Sequence, residues 1–240
     1  MGNTKSFLYR QRFGYGLGDF ACNLIWQMIS LYLLYFYTDV MKLNAASIAV
    51  MFIVCRIIDA VTDVLVGFAI DKTRTRWGKS RPWFLFGAVP FAVAALLAFS
   101  VPDISPDGKL VYAYVTYIFL SFMYTVVNIP LNTIVPRLTS DVHERDILVS
   151  TRMICAMVGT AIVMTITAPM VKFFGGGNEA KGYLTTMTIY GIIAMIIFFI
   201  TFANTKEVVP PTVNNEKTSL KESFKGLTGQ AWILFLLNLF

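Results

Sequence analysis

The chain has 240 residues, of which 56% are hydrophobic and only 14% charged, against about 25% charged in soluble domains. That balance excludes a soluble globular domain and marks a polytopic membrane protein. The net charge of +6 is carried by the segments between apolar runs, so no basic face is left for nucleic acid and that reading loses its support.

Six apolar runs each reach the roughly 20 residues that span the hydrocarbon of a bilayer as a helix. The first, Tyr15 to Tyr37, follows Lys5, Arg10 and Arg12. It is too long for a signal peptide, contains Asp19 and lacks a small-residue cleavage pattern, so it stays attached. The second, Ala45 to Ile70, carries Arg56, Asp59 and Asp63 inside an otherwise apolar stretch. At 100° per residue the three side chains fall within an arc of about 60°, on one helix face. Each such charge costs roughly 2.5 to 3.5 kcal/mol at a membrane helix centre, so the face is expected to line a cavity and to mark an ion or substrate path.

The runs Pro82 to Val101, Leu110 to Val135, Met153 to Phe174 and Tyr183 to Ala203 complete the six. Pro130 and Pro169 are expected to break or kink the fourth and fifth helices. Asn204 to Gly229 is the longest hydrophilic segment, with Pro210, Pro211 and mixed charges, and reads as a linker. The apolar run Ala231 to Phe240 spans about half of a crossing. The expected organisation is therefore a six-helix bundle over 1–203, a cytoplasmic interdomain linker over 204–229 and the start of a seventh helix over 230–240. This pattern suggests an all-α half of a twelve-helix transporter, whose C-terminal half would then be missing.

Assigning the loops to alternate sides puts fifteen bases on one side: Lys5, Arg10, Arg12, Lys72, Arg74, Arg76, Lys79, Arg81, Arg137, Arg145, Arg152, Lys206, Lys217, Lys221 and Lys225. The other side holds Lys42, Lys109, Lys172 and Lys181. The positive-inside rule then places the N-terminus in the cytoplasm. Cys22, Cys55 and Cys155 all lie in apolar runs and support neither a disulfide framework nor a metal motif. His143 sits among loop charges as a solvated side chain, and no nucleophile elbow, phosphate loop or HExxH motif occurs, so an enzyme is not expected.

Gly67 one turn before Asp71 and Lys72, followed by Arg74, Arg76, Gly78, Lys79 and Arg81, resembles the loop signature of the major facilitator superfamily; the small Gly67 would let a neighbouring helix approach closely. The set Gly14-Tyr15-Gly16-Leu17-Gly18-Asp19, Tyr35-Phe36-Tyr37-Thr38-Asp39, Arg56-Ile57-Ile58-Asp59-Ala60-Val61-Thr62-Asp63, Thr75-Arg76-Trp77-Gly78-Lys79 and Tyr124-Thr125-Val126-Val127-Asn128-Ile129-Pro130, with Glu144, Arg145 and Arg152, resembles the glycoside-pentoside-hexuronide:cation symporter family along the whole chain.

The resemblance implies a bacterial inner-membrane carrier with a coupling cation, Na⁺, Li⁺ or H⁺, held by Asp59, Asp63 and Thr125, a set that would be a Na⁺ site if sodium couples. It implies a sugar contacted by Asp19, Tyr124, Asn128 and Arg152, and structural or gating roles for Arg56, Gly67, Asp71 and Arg145. The chemistry agrees with it, because carboxylate and hydroxyl oxygens suit a small hard cation and two acids four residues apart repel unless a cation or proton lies between them. Asn128 and Asn132 stand where the melibiose-carrying members have an aspartate and a tryptophan. The neutral amide at 128 matches the glucuronide and xyloside members instead, and suits a uronide, pentoside or xyloside.

The residues alone leave other readings open. Asp63 would then pair with Arg56 or Arg152, Asp19 would be a near-surface acid at a helix start, and the chain would be a non-transporting remnant, an assembly partner or an uncoupled sugar uniporter.

Overall fold

The computed structural model describes residues 2–209, with side chains from Phe7 onward. Residues 210–240, which hold most of the expected linker and all of the expected seventh-helix start, lie outside the described residues.

The described chain is helical almost throughout. Helix α1 (Gly2–Tyr35) runs into a π-helical turn (Phe36–Val40) and is followed by α2 (Ala45–Lys72), α3 (Arg81–Ala98), α4 (Pro106–Thr133), the short α5 (Val135–Leu138), α6 (Val142–Gly175) and α7 (Glu179–Asn204). Five helical stretches, Phe7–Val40, Arg81–Ala98, Pro106–Thr133, Val142–Gly175 and Glu179–Asn204, are long and apolar enough to cross a membrane. The charge-bearing α2 is not one of these five, but its 28 residues measure roughly 42 Å at 1.5 Å per residue, more than a bilayer core.

Local chemistry sets the helix ends. Asn44 accepts from the Ala46 amide at 2.8 Å to start α2, Asp141 accepts from the His143 amide at 2.9 Å to start α6, and Asn178 accepts from the Lys181 amide at 3.1 Å to start α7. Each supplies an acceptor for amides that have no partner within their own helix. Gly176, with φ of 53°, closes α6 in the left-handed conformation that glycine takes without strain. Pro130 and Pro169 lie inside α4 and α6, which continue through them. Of the expected break or kink, a break is therefore excluded at both prolines.

Helix α1 is the hub, packed against α6, α7 and α4, while α3 lies between α4 and α7. Its glycines face different neighbours. A Cβ at Gly16 would meet Cys155 Sγ of α6 at 2.8 Å, and one at Gly18 would meet Leu131 Cδ2 of α4 at 2.7 Å. Close approach of three helices therefore explains the Gly-x-Gly-x-Gly spacing before Asp19. The enclosed core holds Tyr15, Phe36, Phe84, Phe91, Phe99 and Phe198, and the outward faces are equally apolar, with Ile53 64%, Met157 71% and Phe173 80% exposed. An apolar exterior around an apolar interior is the pattern of a protein solvated by lipid.

Helix α2 packs chiefly on α4. Nothing lies within 4 Å of a Cβ built at Gly67, so the close helix approach expected there is absent among the described residues, because α2 turns a different face to α4.

The loop signature instead acts through polar contacts at the basic end. Asp71 meets Arg137 at 3.4 Å, and Arg137 also donates to Ser80 Oγ at 2.8 Å. Arg12 and Glu144 form an ion pair between α1 and α6. Arg145 donates to the Thr139 carbonyl at 3.0 Å and holds the turn into α6. After α7 the chain folds back: Glu207 accepts from the amides of Lys79, Ser80 and Arg81 at 3.0, 2.8 and 3.2 Å, and the amides of Val208 and Val209 both donate to the Arg137 carbonyl at 3.0 Å.

A carboxylate on three free amides at the start of α3 is a strong anchor, since both charge and hydrogen bonding favour it there. Gly78, with φ of 106°, leaves it room, because a Cβ there would lie 2.4 Å from the Glu207 carboxyl carbon. Glu207→Ala is expected to lower stability by about 1 to 3 kcal/mol, read as a fall in Tm of the detergent-solubilised chain, with Glu207→Gln losing less. Equal Tm values for all three proteins would show that the contact contributes nothing.

Candidate cation and sugar site

On α2 and α4 two carboxylate–hydroxyl pairs lie in register. Ser121 Oγ donates to Asp59 Oδ1 at 2.6 Å, and Thr125 Oγ1 donates to Asp63 Oδ1 at 2.9 Å. Both pairs are separated by 62 positions, so the two helices run parallel here and the pairs stack one turn apart. Ser121 and Thr125 are buried, Asp59 is half-buried and Asp63 is exposed. Each carboxylate keeps a second oxygen outside these bonds.

Among the described residues no three His, Cys, Asp or Glu side chains come together, so the donors on offer are carboxylate and hydroxyl oxygens, which fit a small hard cation. Arg56 is exposed and forms no ion pair among the described residues. The alternative in which Asp63 is held by Arg56 or Arg152 is corrected by this geometry.

Arg152 belongs to a second group. Its Nη2 lies 3.2 Å from Asp19 Oδ1, and its Nη1 donates to Asn132 Oδ1 at 2.5 Å and to Tyr15 Oη at 3.3 Å. Tyr15 in turn donates to the Leu131 carbonyl at 3.0 Å, Asn132 Nδ2 donates to Asn128 Oδ1 at 3.2 Å, and Asn23 Nδ2 donates to Asp19 Oδ2 at 3.4 Å. Asp19 is therefore a buried acid in the middle of α1, tied to α6 and through Asn132 to α4, and not an acid at a helix start. Tyr124, half-buried, stacks on Trp26 with ring centroids 4.1 Å apart and planes at 18°.

Helix α4 is common to both groups. Ser121 and Thr125 turn toward α2, while Tyr124, Asn128 and Asn132 follow one another at four-residue spacing toward α1 and α6. Sequence reasoning missed Ser121, Trp26 and the part Asn132 plays in holding Arg152. Ser121 was within reach, because it precedes Thr125 by the same four residues by which Asp59 precedes Asp63.

The MFS/sugar transport protein family profile matches residues 14–240. The chain is 45% identical over 231 residues to the isoprimeverose transporter of Lactiplantibacillus pentosus, covering 95% of this chain and 48% of that protein. It is 37% identical to an inner membrane symporter of Escherichia coli, over 96% of this chain and 50% of the relative. It is 34% identical to the glucuronide carrier protein homolog of the same organism, over 92% and 50%. The chain thus spans about half the length of the curated relatives it matches. These relatives are transporters, not enzymes, and the chain belongs to the MFS/sugar transport family, among the glycoside-pentoside-hexuronide:cation symporters whose motifs run through it.

Proposed function

We propose that this bundle forms one half of a carrier that couples entry of a glycoside to entry of Na⁺, Li⁺ or H⁺ across the bacterial inner membrane, with its N-terminus in the cytoplasm. The observation that carries the reading is the shared helix: the hydroxyls facing Asp59 and Asp63 and the side chains facing Asp19 and Arg152 belong to adjacent positions of α4. A cation between the two carboxylates relieves their repulsion and draws α2 toward α4. Any shift of α4 moves Tyr124, Asn128 and Asn132 with it, so cation and sugar each raise the affinity for the other, reciprocally.

Asp19 and Arg152 present a carboxylate and a guanidinium to sugar hydroxyls, and the aromatic pair of Tyr124 and Trp26 suits the apolar face of a pyranose. Because Asp19 already balances the Arg152 charge, a neutral glycoside fits better than a uronide, in keeping with the isoprimeverose relative.

Asp63 is exposed, so a second bundle is needed to enclose the site, and the two would rock about it. The 240 residues expressed alone are expected to accumulate no sugar. Joined to the C-terminal half of the isoprimeverose transporter and placed in proteoliposomes, they are expected to drive isoprimeverose uptake when a Na⁺ or H⁺ gradient is imposed. Uptake insensitive to both gradients would replace symport by uniport, and accumulation by the 240 residues alone would remove the need for a second bundle.

A further inference from the structure

At the basic end of the bundle, away from the two groups above, a cavity of about 450 Å³ opens between the start of α1, the start of α3 and the end of α7. Arg10, Arg81 and Lys206 converge on it from three parts of the chain, with Phe7 and Ala203 on its apolar side. We propose that this cavity binds the phosphodiester headgroup of an anionic phospholipid.

The bases are held as a receptor would hold them. Arg10 Nε donates to Asn204 Oδ1 at 3.2 Å, which fixes the side chain while leaving its terminal nitrogens outside that bond. Arg81 is anchored by Nη1 on the Trp77 carbonyl at 3.3 Å and Nη2 on the Phe202 carbonyl at 2.7 Å, with its guanidinium 4.5 Å from the centre of the Phe202 ring. Its Nε is buried and has no hydrogen-bond partner among the described residues. A buried guanidinium donor without an acceptor is costly, and a phosphate oxygen is the acceptor that arginine geometry matches best. The nearby carboxylate, Glu207, is committed to the amides of residues 79–81, so it offsets only part of three positive charges.

The surroundings point to a lipid and not a soluble anion. Phe7 is 37% exposed at the rim, Phe13 on α1 is 62% exposed, and Phe86 on α3 is 67% exposed. Phe13 follows Arg10 by three residues on α1 and Phe86 follows Arg81 by five on α3, so exposed apolar side chains lie within about a turn and a half of the bases, an arrangement that suits acyl chains beside a headgroup. Basic pockets between membrane helices at this level bind anionic headgroups in general.

Native mass spectrometry of the detergent-solubilised 240-residue chain, offered equal amounts of phosphatidylglycerol and phosphatidylcholine with identical acyl chains, tests the proposal. One phosphatidylglycerol is expected to be retained preferentially. The Arg10→Gln/Lys206→Gln variant, which changes two exposed side chains and should keep the parent's Tm, is expected to reduce that retention about thirtyfold, from about fivefold per base near an anionic lipid surface. An Arg74→Gln/Arg76→Gln control at the same end is expected to behave as the parent. Equal retention of the two lipids, or the same loss in the control pair, would overturn the proposal. Displacement of phosphatidylglycerol by excess inorganic phosphate would assign the cavity to a free anion and overturn the lipid source.

Discussion

Asp63→Asn is expected to abolish cation-stimulated sugar uptake while leaving cation-independent sugar binding measurable. Asparagine keeps an oxygen that can accept from Thr125 Oγ1, now at 2.9 Å from the carboxylate, so the α2–α4 contact survives and only the charge is lost. Unit charges about 4 Å apart interact by about 4 kcal/mol at an effective dielectric near 20, so removing one of two carboxylates should weaken cation binding by roughly a hundredfold or more. Asp59→Asn should act in the same direction. Thr125→Ala removes a neutral donor and should cost less, about tenfold. The measurement is a Na⁺ and pH titration of isoprimeverose uptake by the joined transporter, with Tm as the control for folding. If Asp63→Asn lowers Tm and expression as much as uptake, the acids serve helix packing and the symport reading fails.

The second large effect is expected at Arg152. Arg152→Gln leaves Asp19, a buried residue, facing an amide where it had a guanidinium at 3.2 Å. Breaking one side of a buried pair typically costs about 3 to 5 kcal/mol, because the surviving charge stays in place without a partner. A sharp fall in Tm is expected, together with loss of sugar binding. Asp19→Asn/Arg152→Gln should recover most of the stability, since no lone charge remains, but none of the binding. Arg152→Lys keeps the charge without the planar fork that serves Asp19, Asn132 and Tyr15 together, and should fall between. Sugar binding that returns with the double substitution would show that the pair is structural only.

What the sequence disclosed and what it hid follow from what hydropathy measures. Apolar runs mark where lipid surrounds the chain, and not where a helix starts. The run beginning at Tyr15 belongs to a helix that begins at Gly2, and the run beginning at Met153 belongs to one that begins at Val142. Lys5, Arg10 and Arg12 are compatible with helix outside the hydrocarbon, and the true start of α6 was written in Asp141, an N-cap with Glu144 behind it.

Asp59 and Asp63 were legible because a charge in an apolar run is expensive. Ser121 carries no such signature, because a helical serine is usually satisfied by its own backbone, and only its four-residue spacing from Thr125, matching that of Asp59 and Asp63, pointed to it. Trp26 is one aromatic among many until Tyr124 lies on it. Gly67 meets no neighbour among the described residues; small size permits close packing but does not show which side of α2 the neighbour occupies.

The contacts of Glu207, Val208 and Val209 also bear on how far a neighbouring bundle could travel. Because these residues are fastened to the start of α3 and to Arg137 of α5, the covalent leash to whatever follows is moored at Val209 and not at the last turn of α7. Its reach is therefore counted from a fixed post on this bundle, and only releasing Val208 and Val209 from the Arg137 carbonyl as well as Glu207 from its amides would lengthen that reach by several residues without altering any helix.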